Sequence, residues 1–513
     1  MTAAVIMVQG TASSVGKSLV VTGLCRLFRR AGLRVAPFKA QNMALNSAVT
    51  VDGGEIGRAQ AVQAEAAGID AAVDMNPILL KPEGDSRSQV IVLGSPSGSM
   101  SAADYHARKP ELRAVVREAL ARLRLQVDLV VIEGAGSPAE VNLKERDIVN
   151  MDVAKAAGAR VLLVGDIDRG GVLAAFVGTL MLLEPDERAL VGGFLVNKFR
   201  GDLRLLEPGL AFLRERTGVP VAGVLPYLRG LRISEEDSVS LDHRWRTRRA
   251  APGELEIAIV RLPRISNYDE FDALEHEPGV VVRYVDRPEE LRGADLVIVP
   301  GSKSTAADLR WVRESGVAPA LRERAARGEP VLAVCGGCQM LGDALLDPDG
   351  VESDEAEVAG LGILPIVTRF RRQKTTARVR AHAAARLLAP AGGGEVRGYE
   401  IHMGEVERLS GAPALRLVAR NGAACDAEDG AVSADGAVVG TLVHGVLEDD
   451  AVRAALLARL RDRRSLAAPA GPLIPSRDAE YDRLADALAT HLDWELLCGL
   501  AGVRVARPAA VGA

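Results

Sequence analysis

Short aliphatic runs alternate with longer amphipathic stretches along most of the chain. AVIMVQ (4–9), LRVAPF (33–38), DLVVIEG (128–134), RVLLVGD (160–166) and GGFLVNK (192–198) are apolar without interruption. A strand wet on one face alternates in polarity; a continuous run of this length fits a parallel strand covered on both faces. The segments between them, such as 17–31 and 102–124, carry the spacing of helices, and 170–183 is apolar enough to read as a buried helix. Repetition of this βα unit predicts a doubly wound α/β sheet.

The pattern breaks after Leu241. DHRWRTRRAAPGE (242–254) is basic, then contains Pro and Gly, and has no apolar period, so it reads as a linker. A second α/β series follows with EIAIVRL (256–262), GVVVRYV (279–285), DLVIVPG (295–301) and PVLAVCG (330–336), and the stretch 371–440 is more β-like. An amphipathic helix is expected near 478–497, and the tail 503–513 is expected to be disordered. The predicted plan is two doubly wound α/β domains, at 1–241 and 255–450, with a helical extension and tail at 451–513.

Composition narrows the classes. With 513 residues, several cores are expected. A net charge of −5 and an aromatic share of 3% give no electrostatic or stacking reason to expect nucleic acid. Five cysteines in such a chain do not make a disulfide framework. No stretch reads as a secretion signal, and no apolar run reaches the roughly 18 residues of a membrane span, so the expectation is a cytoplasmic protein without a membrane partner. Oligomeric state is not legible.

The first chemical signature is GTASSVGKS, Gly10 to Ser18, set between a predicted strand and a predicted helix. That setting is what a phosphate-binding loop requires: backbone N–H groups and a helix N-terminus face the anion, and a lysine reaches the phosphates. Gly10, Thr11, Gly16, Lys17 and Ser18 are the expected ATP-binding residues, with the Ser18 hydroxyl as a Mg²⁺ ligand. Thr11 stands where the common motif has its first glycine. Glu133 ends a buried strand, where ligands gather in open α/β sheets, and is the second expected Mg²⁺ ligand. Asp166 and Asp168 also end a strand, but Asp before Gly is ordinary turn chemistry.

The second signature is VLAVCGGCQM (331–340). A structural zinc site wants four ligands, and only one C-x-x-C pair is present. A redox pair would need both thiols usable, which nothing else supports. A nucleophile on a tight turn explains more residues: a strand ends at Cys335, glycines permit a strained turn, and a helix follows near Gln339. The N–H of Gly336 can then help stabilise an oxyanion. A cysteine nucleophile wants a histidine, and TLVHGVL offers His444 after a strand-like run. His402 in GYEIHMG is its one competitor, with a structural or substrate-facing role as the default.

Cys335, Gly337 and Gln339 match the elbow G-x-C-x-G-x-Q and so resemble the class I glutamine amidotransferases, with Ala333 replacing the first glycine. The resemblance makes Cys335 the nucleophile and Cys338 a variable position. It also makes Gly301 and Ser302, in PGSKST, candidates for the oxyanion loop. Many members supply a third residue through His-x-Glu; here position 446 is Val and Glu448 lies two further on. Either a Cys–His dyad or a differently placed acid is implied.

The phosphate loop resembles that of dethiobiotin synthetases. The early lysine of partitioning ATPases is absent from it, which argues against a P-loop switch. With FKAQNMALNS (38–47), EIGRAQAVQAEAA (55–67), NPILLKP (76–82) and GYEIHMG (398–404), the chain resembles the cobyric acid synthase family over about residues 3–450. The resemblance implies ATP- and glutamine-dependent amidation of the b, d, e and g carboxylates of a corrinoid, adenosylcobyrinic acid a,c-diamide. Lys39, Gln41 and Asn42 would be substrate-side residues, ATP and Mg²⁺ the cofactors, and glutamine and the corrinoid the partners. The alternative is a cobyrinic acid a,c-diamide synthase or another glutamine-dependent amidoligase.

Overall fold

The structure is a computed structural model that describes residues 2–83, 86–233, 248–467, 469 and 476–510. The first α/β series forms a six-stranded sheet in the order Val221–Pro226, Val191–Phe199, Arg160–Asp166, Ala4–Gly10, Leu129–Glu133 and Val35–Phe38. Every pairing in it is parallel. The continuous aliphatic runs are its strands, and beyond their first residues Ala4 and Arg160 the central ones are buried because helices cover both faces. Helices α1 (Lys17–Arg30), α2 (Arg58–Ala67) and α3 (Ala102–Leu123) belong to this domain. A small four-stranded sheet, Gln41–Met43, Ile78–Pro82, Arg87–Val92 and Ser95–Ser101, is inserted between α1 and α3.

The second series forms another sheet, in the order Val280–Val285, Leu255–Val260, Leu296–Val299, Val331–Val334, Val438–Thr441 and Ala431–Val432. Its first five strands are parallel and its edge strand is antiparallel. The β-rich stretch is a long hairpin-like pair, Ile366–Ala383 against Glu395–Arg408.

Four expectations need correction. The helix expected at 478–497 is two, Arg477–His491 and Trp494–Ala501, separated at Leu492–Asp493, where Asp493 caps the second by accepting from Leu496 N. The stretch 451–513 is not one extension: helix Asp450–Arg464 packs on the second domain, whereas the last two helices cross back to the first. The described part of the tail, up to residue 510, is not loose. Val503 and Val505 pack against the first domain, and Trp494 Nε1 donates to Val505 O at 3.1 Å. The helix expected at 170–183 runs Val172–Leu182 and is buried on one side only, Met181 being 66% exposed. Of the linker at 242–254, residues 242–247 lie outside the described residues, and Arg248 pairs with Glu254 in the rest.

The two domains meet through polar contacts. Thr376 Oγ1 donates to Gly53 O at 2.6 Å, Arg378 Nε to Val49 O at 2.9 Å, and Ser47 N to Asn267 Oδ1 at 2.8 Å. Glu55, fully buried, is paired by Lys81 at 2.8 Å from its own domain and by Lys374 from the other. Burial alone would raise the Glu55 carboxyl; the two ammonium groups outweigh it and hold the group well below the usual carboxylate range.

Candidate active site

The phosphate loop lies between Ala4–Gly10 and α1. Ser14 and Gly16 adopt positive φ, 57° and 97°, which turns the backbone sharply into the helix. A Cβ on Gly16 would lie 2.3 Å from Asn197 Nδ2, the amide that closes the loop by donating to Val15 O at 2.8 Å. Lys17 lies across the loop and donates to Ala12 O at 3.0 Å and Gly136 O at 3.1 Å. Ser13, Ser14, Gly16, Lys17 and Ser18 line a cavity of about 1330 Å³. Gly10 and Thr11 do not. The Thr11 N–H already donates to Val164 O at 2.9 Å, because the loop is one residue longer and its first two positions still belong to the sheet edge.

Glu133 sits beside the loop, 1% exposed. Its Oε1 accepts from Ser18 Oγ at 2.9 Å and lies 2.9 Å from Lys39 Nζ; its Oε2 accepts from Gln63 Nε2 at 2.6 Å. Burial would raise this carboxyl, but Lys39, Gln63 and Lys17 outweigh it and keep the pKa below its ordinary value. Asn42 Nδ2 donates to Gln60 Oε1 at 3.0 Å, and Gln41 Oε1 accepts from Tyr105 Oη. Lys39, Gln41, Asn42 and Glu133 therefore share one cavity with the loop. Asp166 lines it too, paired with Lys198 at 2.9 Å.

The elbow lies between Val331–Val334 and the helix Gly336–Leu341, which starts three residues before Gln339. Cys335 has φ 49° and ψ −111°, a strained conformation for a residue with a side chain. The neighbouring glycines are required by space. A Cβ on Gly337 would lie 2.1 Å from Val299 O, and one on Gly336 would lie 2.8 Å from Ser302 N. The Gly336 and Ser302 backbones thus approach closely beside the turn. Gly301 lies against His444: its Cβ would sit 2.9 Å from Cε1. Ser302 Oγ is occupied as a donor to Asp308 Oδ2 at 2.7 Å.

His444 interacts with the Cys335 thiol and is held on three sides. Nδ1 lies 2.9 Å from Glu270 Oε1, the Tyr399 ring stacks on the imidazole at 5.3 Å, and Asn267 Nδ2 is 3.4 Å from Nε2. Glu270 is itself fixed, its Oε2 accepting from Gly445 N at 2.8 Å. Burial would lower the imidazole pKa, but Glu270 and Cys335 outweigh it and raise it to about 10. The acid that orients His444 is thus Glu270, from the turn after the first strand of the domain. Glu448 instead pairs with Arg58 and Arg477. Sequence reading missed Glu270 because it lies 174 positions from His444, in a stretch, SNYDEF, with no recognisable spacing to the elbow.

The two other candidates fall outside this arrangement. Cys338 is fully buried and its burial pushes the thiol well up; its Sγ packs under Gly440. His402 bonds Gly404 O through Nδ1 at 2.9 Å, and its neighbour Ile401 offers the carbonyl 3.6 Å from Cys335 Sγ.

Residues 6–241 match the family described as the CobQ/CobB/MinD/ParA nucleotide binding domain, and residues 256–452 match the CobB/CobQ-like glutamine amidotransferase domain. Along nearly its whole length the chain is 63% identical to the cobyric acid synthase of Sorangium cellulosum, over 98% of this chain and 99% of that one. This chain belongs to the cobyric acid synthase family. It is also 54% identical to the enzyme of that name from Pelotomaculum thermopropionicum, over 99% of both chains, and 51% to that from Moorella thermoacetica, over 97% of both. Membership covers both centres, so the phosphate loop and the elbow are parts of one enzyme type rather than an accidental pairing.

Proposed function

We propose that the chain is a glutamine-hydrolysing amidoligase that converts the b, d, e and g carboxylates of adenosylcobyrinic acid a,c-diamide to amides, giving adenosylcobyric acid. The observation that carries this reading is the presence, in one chain, of a phosphate loop beside an ionised Glu133 and of a strained cysteine beside a Glu270-held histidine. Full-length similarity to cobyric acid synthases favours it over a cobyrinic acid a,c-diamide synthase.

A carboxylate is a poor electrophile. Transfer of the ATP γ-phosphoryl group makes an acyl phosphate, a step that needs positioning and charge neutralisation more than covalent help from protein. Lys17 and the loop amides meet the phosphates, and Lys39 meets the acceptor carboxylate or the transferred group. The Ser18 hydroxyl and Glu133 carboxylate, 2.9 Å apart, form the oxygen pair a Mg²⁺ ion takes from protein when phosphates and water supply the rest. Bound there, the ion would neutralise phosphate charge.

At the other centre the Cys335 thiolate attacks the glutamine side-chain amide. The Gly336 and Ser302 amides stabilise the tetrahedral oxyanion, and the His444 imidazolium gives its proton to the amide nitrogen as the C–N bond breaks, so that it leaves as neutral ammonia. Water hydrolyses the glutamyl thioester, and ammonia attacks the acyl phosphate, expelling phosphate. Between the centres lie buried amides, Asn267, Asn46, Gln60 and Asn42, Asn46 and Gln60 being 1% and 0% exposed. A route along them would keep ammonia from bulk water and from protonation. The deciding experiment incubates the protein with the corrinoid, Mg·ATP and glutamine and follows products by mass. Successive amidation beyond the a,c-diamide supports the reading, and amidation only of cobyrinic acid itself would sink it.

Two predictions follow from the geometry. Glu270→Gln removes the charge that raises His444. The native imidazole keeps its proton up to about pH 10. Without Glu270, burial acts with less opposition and the proton is lost at lower pH. Glutaminase kcat/KM is expected to fall by about 10²–10⁴-fold, with its alkaline limb displaced downward, read from a pH–rate profile.

The second concerns Lys109, which lines the large cavity and is 8% exposed. Its Nζ rests 6.0 Å from the Tyr105 ring centre and has no hydrogen bond or ion pair among the described residues. Burial pushes its pKa down, a cost that a substrate carboxylate would relieve. Lys109→Met is expected to raise the KM for corrinoid about tenfold, the equivalent of about 1.4 kcal/mol, and to leave the KM for ATP unchanged.

A further inference from the structure

The glutaminase centre is not built from the second domain alone. Arg58 opens α2, in the first domain, and its guanidinium is 11% exposed. Its Nε lies 2.6 Å from Asp269 Oδ2, and its Nη2 bonds Glu448 Oε1. Asp269 is the residue before Glu270, and Glu448 is the fourth after His444. One cation from the neighbouring domain therefore grips both segments that carry the Glu270–His444 pair, each close to the bond between them. Asn267, at the start of the same turn and with φ 53°, is also held from across the boundary by Ser47 N at 2.8 Å.

Asp269 has no hydrogen-bond donor on either oxygen among the described residues; Arg58 is its charge partner. Its side chain is fully buried. An ionised carboxylate in that position is tolerated only while the guanidinium is there. Burial, with Arg58 opposing it, already pushes the Asp269 carboxyl up to about 6. Without Arg58 the turn would hold either an uncompensated charge or a protonated acid, and its conformation would relax.

We infer that Arg58, a residue of the synthetase domain, is a positioning residue of the glutaminase centre, setting the Asp269–Glu270 turn that orients His444. The helix that carries it also reaches the other centre: Gln63, on the same ten-residue α2, donates to Glu133 Oε2 at 2.6 Å. The geometry of glutamine hydrolysis is thereby tied to an element that touches the metal-side carboxylate of the phosphate site. This inference rests on the assignment of Cys335 and His444 as the glutaminase pair.

The test compares Arg58→Met, Arg58→Lys and Asp269→Asn in the full chain, each assayed with glutamine and with ammonium at raised pH. Arg58→Met and Asp269→Asn are expected to lower glutamine-dependent kcat/KM by at least about 10²-fold, about 2.7 kcal/mol of transition-state stabilisation. Ammonium-dependent amidation should stay within about threefold of wild type, and Arg58→Lys should recover part of the loss. The alkaline limb of glutaminase activity should shift in both strong variants, because the Glu270–His444 contact is what they loosen. Equal loss with both nitrogen sources would show a general structural role and overturn the inference, as would glutaminase activity that is unaltered. If Arg58→Met does not fold, the near-isosteric Asp269→Asn decides alone. Failure of ammonium-dependent corrinoid amidation in the wild type would count against the overall reading rather than against Arg58.

Discussion

Cys335→Ala abolishes amidation from glutamine and leaves amidation from ammonium intact; that is the expected result with the largest effect. The loss with glutamine should be about 10⁴-fold or more, the scale seen when a covalent nucleophile is removed. No other thiol is placed to substitute. Cys338 is three positions on but fully buried beneath Gly440, with its thiol pushed far up by burial. Alanine itself adds no bulk at a site whose backbone is already strained, at φ 49°, so the elbow and its amides should survive. The assay is product formation with each nitrogen source, together with trapping of the glutamyl thioester by hydroxylamine. Retention of full glutamine-dependent activity would remove Cys335 from the mechanism.

Lys17→Met is expected to do the reverse, suppressing amidation from both nitrogen sources by at least about 10²-fold while glutamine hydrolysis by itself persists. Lys17 is 8% exposed and donates to Ala12 O in the phosphate loop and to Gly136 O in the segment after Leu129–Glu133. These bonds hold it at the floor of the loop, where a phosphate oxygen would exchange for a carbonyl. The methionine keeps the stem and loses the charge, so a folding defect is not anticipated. Single-turnover formation of ADP with the corrinoid present is the measurement. ADP release at the wild-type rate would mean that the loop cradles something other than the reacting phosphates. The two variants together separate the centres, because each disables one and spares the other.

The division of labour between sequence and structure follows from what each signal depends on. Strands such as AVIMVQ and RVLLVGD were legible because burial on both faces leaves an uninterrupted apolar run, a local property. The phosphate loop and the elbow were legible because their chemistry demands glycines at fixed offsets, also a local property. Glu270, Arg58 and Asp269 were not, because their roles arise from contacts between segments 174 and more residues apart. EIGRAQAVQAEAA drew attention only through its resemblance to a family; nothing in it shows that its arginine crosses a domain boundary. The split of the final segment was also hidden. An amphipathic helix announces that it has a face to bury, but not which domain will bury it.

That split has a consequence for how the protein is made. Helix Arg477–His491 lies directly on α1: a Cβ on Gly23 would sit 2.3 Å from Leu488 Cδ1, and Arg26 is bidentate to Asp482 at 2.8 Å. The core beneath α1 includes Leu484, Leu488, Leu497 and Leu500 from the far end of the chain. The nucleotide-binding domain is therefore discontinuous, with the whole second domain inserted into it. During synthesis its sheet emerges first, yet one side of α1 stays uncovered until some 450 more residues have been translated. The inserted domain can close its own core in the meantime. Vectorial synthesis thus finishes the amidotransferase half before the half that began first, and a ribosome stalled between the two would display an incomplete nucleotide-binding domain with its apolar seam open to chaperones.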